Sequence, residues 1–293
     1  MLLEAVDGGS LSAAARRLGV PLPTVSRRIS DLEEHLKIRL LIRGSRKLLL
    51  TDAGRDYVAS CRRVLEEISE IERNASGEYR APQGELVISA PVVLSRTHIL
   101  PILVDFLEAY GDIKVRLLQS DRAVNLLEEQ IDLAVRIGSL PDSSLIATRV
   151  GLIRRMLCAA PRYLEARGMP RTPEDLTGHD CIAFEAINAG DRWEFSKGGA
   201  DYSIPIRSRL VVTTAEVAAA AALAGLGIAR VLSYQVAEYL AASQLSRVLE
   251  AYEPDPMPLS FLYPSQRQVP LKLRAFLDFA TPRLRRRLGY QAQ

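Results

Sequence analysis

The chain has 293 residues, 48% hydrophobic and 25% charged, with a formal net charge of +3. That length predicts about two domains of ordinary size, and the composition excludes disordered and fibrous classes. No apolar run is long enough to span a bilayer, no signal peptide opens the chain, and three widely spaced cysteines (Cys61, Cys158, Cys181) make no disulfide framework, so a reducing cytoplasm is the expected location. The charge is unevenly placed: residues 1–51 hold nine Lys/Arg against five Asp/Glu, and the other 242 hold 29 against 30. The positive excess of the first segment is either an electrostatic footprint for nucleic acid or a solvated basic surface.

Met1 to Asp7 reads as the end of a helix, with Leu3 and Val6 apolar, and Asp7-Gly8-Gly9 as a turn. A helix follows from Ser10 to Leu18, with Ser10 as N-cap and Ala13-Ala14-Ala15 permitting close packing. Gly19 suits a left-handed stop, and Pro21 and Pro23 cannot continue that helix. Pro23 instead fits the first turn of a second helix, from about Pro23 to Leu36, with Val25, Ile29, Leu32 and Leu36 as its apolar stripe. Pro23, Thr24, Arg27 and Asp31 face outward, flanked by Ser26 and Arg28. Arg27 and Arg28 occupy the first half of this helix and Asp31, Glu33 and Glu34 the second, so a phosphate backbone admits only its N-terminal half. Helix-turn-helix recognition helices dock in that way. Leu40 to Leu50 reads as two short strands around a Gly-Ser turn, a wing whose tip carries Arg43, Arg46 and Lys47. Ser10, Ser12, Pro23, Thr24, Ser26, Arg27, Arg28, Arg43, Arg46 and Lys47 are the candidate DNA contacts.

A long helix is expected from Thr51 or Asp52 to about Ala75. Val58, Cys61, Leu65 and Ile68 fall at spacings of three, four and three, between Arg62, Arg63, Glu66, Glu67 and Glu70. We read them as a two-helix dimer seam rather than a face packed on its own domain, because the segment lies between domains. Cys61 then serves as a small apolar group rather than a redox switch. Ser76 to Gln83 is a polar linker.

From Gly84, strands alternate with helices, which predicts α/β units with largely parallel sheets. Strands are expected at Glu85–Ala90, Ile113–Gln119, Asp132–Ile137, Cys181–Glu185, Trp193–Ser196, Tyr202–Val212 and Leu259–Tyr263, with further extended chain over Ser144–Ala160. Helices are expected at Ile99–Tyr110, Ala123–Gln130, Pro161–Arg167, Pro173–Leu176, Ala215–Ala224, Ser233–Ala241 and Leu271–Leu288. The basic end of the last, at Arg283, Arg285, Arg286 and Arg287, fits a solvated final turn favoured by the helix dipole.

Two strand-to-helix junctions are candidate anion sites, Pro91 to Thr97 and Thr213-Thr214, because helix N-termini present free N–H groups beside hydroxyls. Ser95 and Thr214 serve equally well as plain N-caps. Catalysis has little support. Of the three histidines, His35, His98 and His179, only the last lies near a cysteine, in His179-Asp180-Cys181, where neighbouring residues of a strand point to opposite faces and form no catalytic constellation. No phosphate loop, dinucleotide fingerprint or metal motif occurs, and Gly225-Leu226-Gly227 follows a helix, so it reads as a turn. No catalytic residue, metal or cofactor is expected.

Gly9-Ser10, Ala14-Ala15, Leu18, Pro23, Ser26-Arg27, Ile29, Leu32-Glu33, Leu36, Arg39-Leu40, Arg43, Arg46 and Leu50-Thr51-Asp52-Ala53-Gly54 form one gapless pattern. It resembles the DNA-binding domain of the LysR-type transcriptional regulators, and the similarity continues over nearly the whole chain. Many members open the recognition helix with Ser-Gln-Pro, whereas Pro21-Leu22-Pro23 stands here, so base readout by those two polar positions does not carry over. The resemblance implies a multidomain chain: an all-α winged helix-turn-helix over 1–51, a long linker and dimerisation helix with a hinge over 52–83, and an α/β effector domain over 84–293. That last domain would be two-lobed and similar to periplasmic binding proteins, with lobe I at 84–160 and 265–293, lobe II at 161–264, and crossings near Ala160 and Tyr263. It places effector contacts at Ser95, Arg96, Thr97, Thr213 and Thr214 and after the strand ending in Arg136, Gly138 and Ser139, although Arg136 also fits a structural ion pair. The implied partners are promoter DNA, a small, anionic effector and further copies of the chain as a homodimer or homotetramer, with RNA polymerase as another candidate. In the family the helix before the Gly-Ser turn is longer, so a natural start upstream of Met1 is expected. An enzyme tethered by a basic module and a cysteine-pair redox sensor remain as competing readings.

Overall fold

The computed structural model describes residues 1–42, 48–75, 81–122, 124–126, 128–138, 145–187, 191–265 and 269–290. They divide into two units, Met1–Arg80 and Ala81–Gln293.

The first unit comprises α1 (Leu2–Asp7), α2 (Leu11–Leu18), α3 (Leu22–Leu36), the two-residue strands β1 (Leu41–Ile42) and β2 (Leu49–Leu50), and α4 (Asp52–Ala75). The Ser10 hydroxyl accepts the Ala13 amide at 3.1 Å, and Gly19 stops α2 at φ +65°. Pro21 precedes α3 without a side-chain cap, and Pro23 sits in its first turn, where a missing N–H costs nothing. Leu2, Ala5, Ala14, Ala15, Val25, Ile29, Leu40 and Val58 form the core. Val58 was expected in the dimer seam. It is only 3% exposed and packs inside this unit, because the first turns of α4 return over the helix-turn-helix. Leu65 and Ile68 are exposed, as is Val64.

Glu33 was assigned to the acidic outer half of α3. It instead points inward at 5% exposure and accepts the Leu40 and Leu41 amides at 2.8 and 3.0 Å, with Arg39 Nη1 at 3.1 Å. One carboxylate thus fixes where the chain leaves α3 and starts the wing. Thr51 completes the junction: its hydroxyl donates to the Arg39 carbonyl at 2.6 Å and accepts the Gly54 amide at 2.9 Å. Gly54 is needed because a Cβ there would lie 2.1 Å from the Leu40 carbonyl oxygen. β1 and β2 pair antiparallel, Leu41 opposite Leu50; Arg43, Arg46 and Lys47 lie outside the described residues.

The second unit contains β3 (Gly84–Ala90), α5 (Val92–Leu94), a π-helical turn (Ser95–Ile99), α6 (Leu100–Ala109), β4 (Ile113–Gln119), β5 (Leu133–Ile137), β6 (Leu145–Ile153) and β7 (Arg155–Ala159). It continues with α7 (Pro161–Arg167), β8 (Cys181–Phe184), β9 (Arg192–Lys197), β10 (Ala200–Pro205), β11 (Ser208–Val212), α8 (Ala215–Leu223), β12 (Ile228–Leu232), α9 (Ala237–Ala241), β13 (Ser246–Val248), β14 (Met257–Pro264) and α10 (Leu271–Arg287). Two five-stranded sheets result, ordered β4-β3-β5-β14-β6 and β11-β8-β12-β7-β13. In each, the first three strands are parallel and the last two join antiparallel. The sheets are therefore mixed rather than largely parallel.

The reason is strand exchange. β7 completes the second sheet and β14 the first, so the chain crosses at Arg154 and again ahead of Met257, not near Ala160 and Tyr263. Both exchanged strands are apolar runs that read alike in either lobe. The expected Tyr202–Val212 strand is two: Pro205 has no amide to donate, β10 pairs with β9 in a separate ribbon, and β11 pairs with β8. The described residues of the expected Ala123–Gln130 helix form turns instead, ending on Gln130 at φ +57°. The expected Ser233–Ala241 helix divides at Val236 into a 3-10 turn and α9.

Candidate DNA-reading surface and effector cleft

On α3, Pro23, Ser26, Arg27 and Arg28 are exposed and Thr24 is half-buried. Positions 23, 26 and 27 share one face at helical spacing. Neither Arg27 nor Arg28 has a carboxylate partner among the described residues, so both guanidiniums remain available. Ser12 is exposed on α2, whereas the Ser10 hydroxyl is engaged in its cap. With Glu33 turned inward, Asp31 and Glu34 are the exposed acids of the C-terminal half. Along α4, Cys61 is half-buried and the Leu65 and Ile68 side chains stand free of the unit's core.

A cleft of about 690 Å³ separates the two sheets of the second unit. Parallel strands aim their carboxyl ends at it: Arg136 and Ile137 end β5, Phe184 ends β8 with Glu185 just after it, and Leu232 ends β12. Ligands of open α/β sheets bind at such strand ends. Asp121, Arg155, Arg192, Glu194, Arg230, Tyr234, Gln235 and the return crossing at Asp255–Pro258 also line it.

Its electrostatics are set by buried guanidiniums. Arg230 is 4% exposed, donates to the Glu194 carbonyl at 3.2 Å and lies over the Trp193 ring. Burial, reinforced by the neighbouring Arg155 charge, lowers its pKa to about 9, so it stays a cation at neutral pH. Arg155 pairs with the Glu194 carboxylate at 3.0 Å and reaches Met257 Sδ at 3.2 Å, yet its Nε is buried without a partner. Arg136 Nη1 donates to the Arg122 carbonyl at 2.7 Å, and its Nη2 is likewise buried without a partner. Burial pulls the Arg136 guanidinium below its ordinary range, against the opposing influence of Glu129 and Asp121. Each orphaned donor costs about 1–3 kcal/mol. Burial also raises the Asp121 carboxyl and the Tyr234 phenol.

Of the residues expected to hold an effector, Arg136 and Gly138 line this cleft, and Ser139 lies outside the described residues. Ser95 does not cap a helix. Helical backbone already begins at Val92, and Ser95 is fully buried in the π turn. The anion at that helix start is the protein's own Asp121, whose carboxylate accepts the Val92 amide at 3.1 Å. Thr97 donates its hydroxyl to the Val93 carbonyl at 2.8 Å. Thr214 occupies the N-cap position of α8, but its side chain does not cap, and Thr213 is exposed. Arg96 reaches Glu216 of α8 at 3.8 Å, which brings the two junctions together; of their residues, Pro91 lines the cleft. Sequence reasoning missed Asp121, Arg155, Glu194, Arg230 and Tyr234. Arg230, a lone cation in the apolar strand Ile228–Leu232, was the legible signal.

The cysteine-pair reading loses its geometry. β12 runs between β7 and β8, with Ala229 opposite Cys158 and Ile228 opposite Cys181. Two strand spacings separate the thiols by roughly 9–10 Å, beyond disulfide reach. Burial also pushes each thiol up to about 12. Among the described residues, no helix is long and apolar enough to cross a membrane, and no group of His, Cys, Asp or Glu is placed to hold a metal.

Comparison with known proteins supplies the family. Residues 1–55 match the bacterial regulatory helix-turn-helix protein family of the lysR type, and residues 80–285 match the LysR substrate binding domain. An HTH-type transcriptional repressor of Pseudomonas aeruginosa is 34% identical, over 94% of this chain and 88% of its own. The HTH-type transcriptional regulator CrgA of Neisseria meningitidis is 32% identical, over 97% and 95%. The solved structure of CrgA superposes with TM-score 0.63 at 31% identity, covering 96% of each chain. The full-length Vibrio cholerae virulence activator AphB gives 0.62 at 30% identity, covering 99% of this chain and 98% of that one. These relatives are transcriptional regulators, and the chain belongs to the LysR-type transcriptional regulator family, with a DNA-binding helix-turn-helix and an effector-binding domain.

Proposed function

We propose that α3 enters a promoter's major groove by its N-terminal half, with Arg27 reading a base edge and Arg28, Ser12 and the wing residues Arg43, Arg46 and Lys47 meeting backbone or minor groove. Residues 1–51 would form this module, 52–83 the linker, and 84–293 the effector domain. α4 pairs two chains through Cys61, Leu65 and Ile68, now without Val58, and supports a homodimer or homotetramer acting in the cytoplasm, where RNA polymerase is a further partner.

The effector is a small anion held in the cleft at Arg136. The supporting observation is the buried, unpaired Arg136 Nη2 at the carboxyl end of β5. A ligand there acts only through its different affinity for two arrangements of the lobes or of the oligomer. Thr214 stands at the neighbouring junction and is secondary to Arg136 in this arrangement. The test is fluorescence anisotropy on the DNA upstream of the chain's own gene, titrated with a panel of mono- and dicarboxylates. Arg136→Gln raises the concentration giving half-response about tenfold or more while leaving ligand-free DNA affinity intact. A response at the parent's concentration would remove Arg136 from the site.

A further inference from the structure

A second cavity, of about 300 Å³, lies in the second lobe where α7 meets the end of α8. Its lining includes Asp180 from His179-Asp180-Cys181 and Gly225 and Leu226 from Gly225-Leu226-Gly227, two motifs for which regulation supplies no role. Three guanidiniums line it: Arg162 and Arg167 from α7 and Arg209 from β11. One carboxylate faces them. Asp180 is 7% exposed, and its Oδ2 lies 3.1 Å from Arg209 and 3.6 Å from Arg167. The Tyr163 hydroxyl accepts the Asp180 amide at 3.0 Å and fixes the backbone that carries this acid.

Arg162 is the informative residue. It has no carboxylate partner among the described residues, and its Nη2 donates only to the Leu223 carbonyl, at 3.3 Å. Gly225 makes room for it: at φ +74°, a Cβ there would come within 2.7 Å of Arg162 Nε. Neutralising Asp180 requires one cation; three are present, one of them held against bare backbone and away from the acid. All three arginines are exposed, so the donors these contacts do not use face solvent at the mouth of the cavity, in the planar fork suited to carboxylate and phosphate oxygens.

We propose that this cavity is a second ligand site, separate from the cleft, for a small dianion carried as a phosphate group or a dicarboxylate. Asp180 holds Arg167 and Arg209 in place, and Arg162 closes on the ligand from the glycine side.

Equilibrium dialysis of the full chain at fixed ionic strength tests it, with radiolabelled inorganic phosphate in one arm and radiolabelled succinate in the other. Measured in the Arg136→Gln background, where small-anion binding in the cleft is weakened, at least one probe binds saturably at one site per chain, and the tighter identifies the ligand class. Arg162→Gln weakens that binding about tenfold or more, and Arg162→Lys, which keeps the charge but not the fork, falls between. Restoring Arg136 adds at most a second, cleft-bound class of sites and leaves the affinity of the site at Arg162 as it was. Unaltered Trp193 fluorescence certifies that each variant keeps its fold. Non-saturable uptake of both probes, parental affinity in Arg162→Gln, or loss of binding in Arg136→Gln would each overturn the proposal.

Discussion

Glu33→Ala is the sharpest test of how the helix-turn-helix holds its wing. The substitution strips the acceptor from the Leu40 and Leu41 amides while leaving Leu40 in the core. A buried donor left unpaired costs about 1–3 kcal/mol; with Leu40 at full weight and the part-buried Leu41 at about half, the loss is about 2–4 kcal/mol. Arg39 is largely exposed, so its ion pair adds little. Amide hydrogen exchange followed by mass spectrometry at pH 7 reads this directly: exchange at Leu40 and Leu41 accelerates by roughly 30- to 700-fold. Trp193, the only tryptophan, lies in the other unit, so its fluorescence transition stays put and serves as the control. The effect depends on pH with a definite sign. Burial pushes the Glu33 carboxyl up, but the Leu41 and Leu40 amides and Arg39 together outweigh it and hold it below the ordinary glutamate range. A depressed folded-state pKa stabilises above the unfolded value of about 4.3 and loses that contribution as pH falls through the folded one, so the gap between parent and variant is constant near neutrality and closes below about pH 4. Unchanged protection at Leu40 and Leu41 would refute the reasoning.

Arg27→Ala lowers affinity for the cognate promoter more than for random DNA, by about 1–3 kcal/mol at one base position, and equal losses on both would remove it as a base reader. Arg43→Ala or Arg46→Ala weakens all sequences alike and reduces the log–log salt slope by about 0.9 per lost phosphate contact. Gly54→Ala drives a methyl into the Leu40 carbonyl and destabilises the first unit by about 1–3 kcal/mol, read as a lowered thermal midpoint of DNA binding. Native protein at pH 7 shows at most one reactive thiol, Cys61, and that one only to the extent that the α4 seam opens, since burial pushes Cys158 and Cys181 up to about 12; two or three fast-reacting thiols would contradict their burial.

What could be read in advance divides by the range of the interaction. The ends of α2 and α3 were legible because caps and prolines act within four residues: Ser10 reaches Ala13, and Gly19 and Pro21 stop the chain themselves. Glu33 was not, because its partners lie seven and eight residues on, across a chain reversal that periodicity does not encode. Val58 failed for a related reason: an apolar stripe on α4 looks the same whether it meets a partner chain or its own unit. Only the packing of its first turns against Leu40 and the rest of that core separates Val58 from Leu65 and Ile68. β7 and β14 carry apolar runs fit for either sheet, so their exchange, and with it the mixed strand order, is a tertiary fact.

That exchange is also what gives the cleft its chemistry. Arg155 begins β7 just after the first crossing, and Met257 begins β14 just after the second, with Arg155 Nη2 and Met257 Sδ in contact at 3.2 Å. Arg136 approaches from the other side on β5. The two unpaired donors, Arg136 Nη2 and Arg155 Nε, therefore belong to different sheets. A hydrogen bond to a charged group contributes about 1.5–3 kcal/mol, so an anion bridging both donors gains about 3–6 kcal/mol in the arrangement that brings them together, and less in one that holds them apart. Reversing a two-state equilibrium from 1:99 to 99:1 requires about 5.5 kcal/mol of differential affinity. Two orphaned donors on opposite lobes come close to that figure without any further contact. A ligand confined to one lobe, however tightly bound, would satisfy one donor equally in both arrangements and would move nothing.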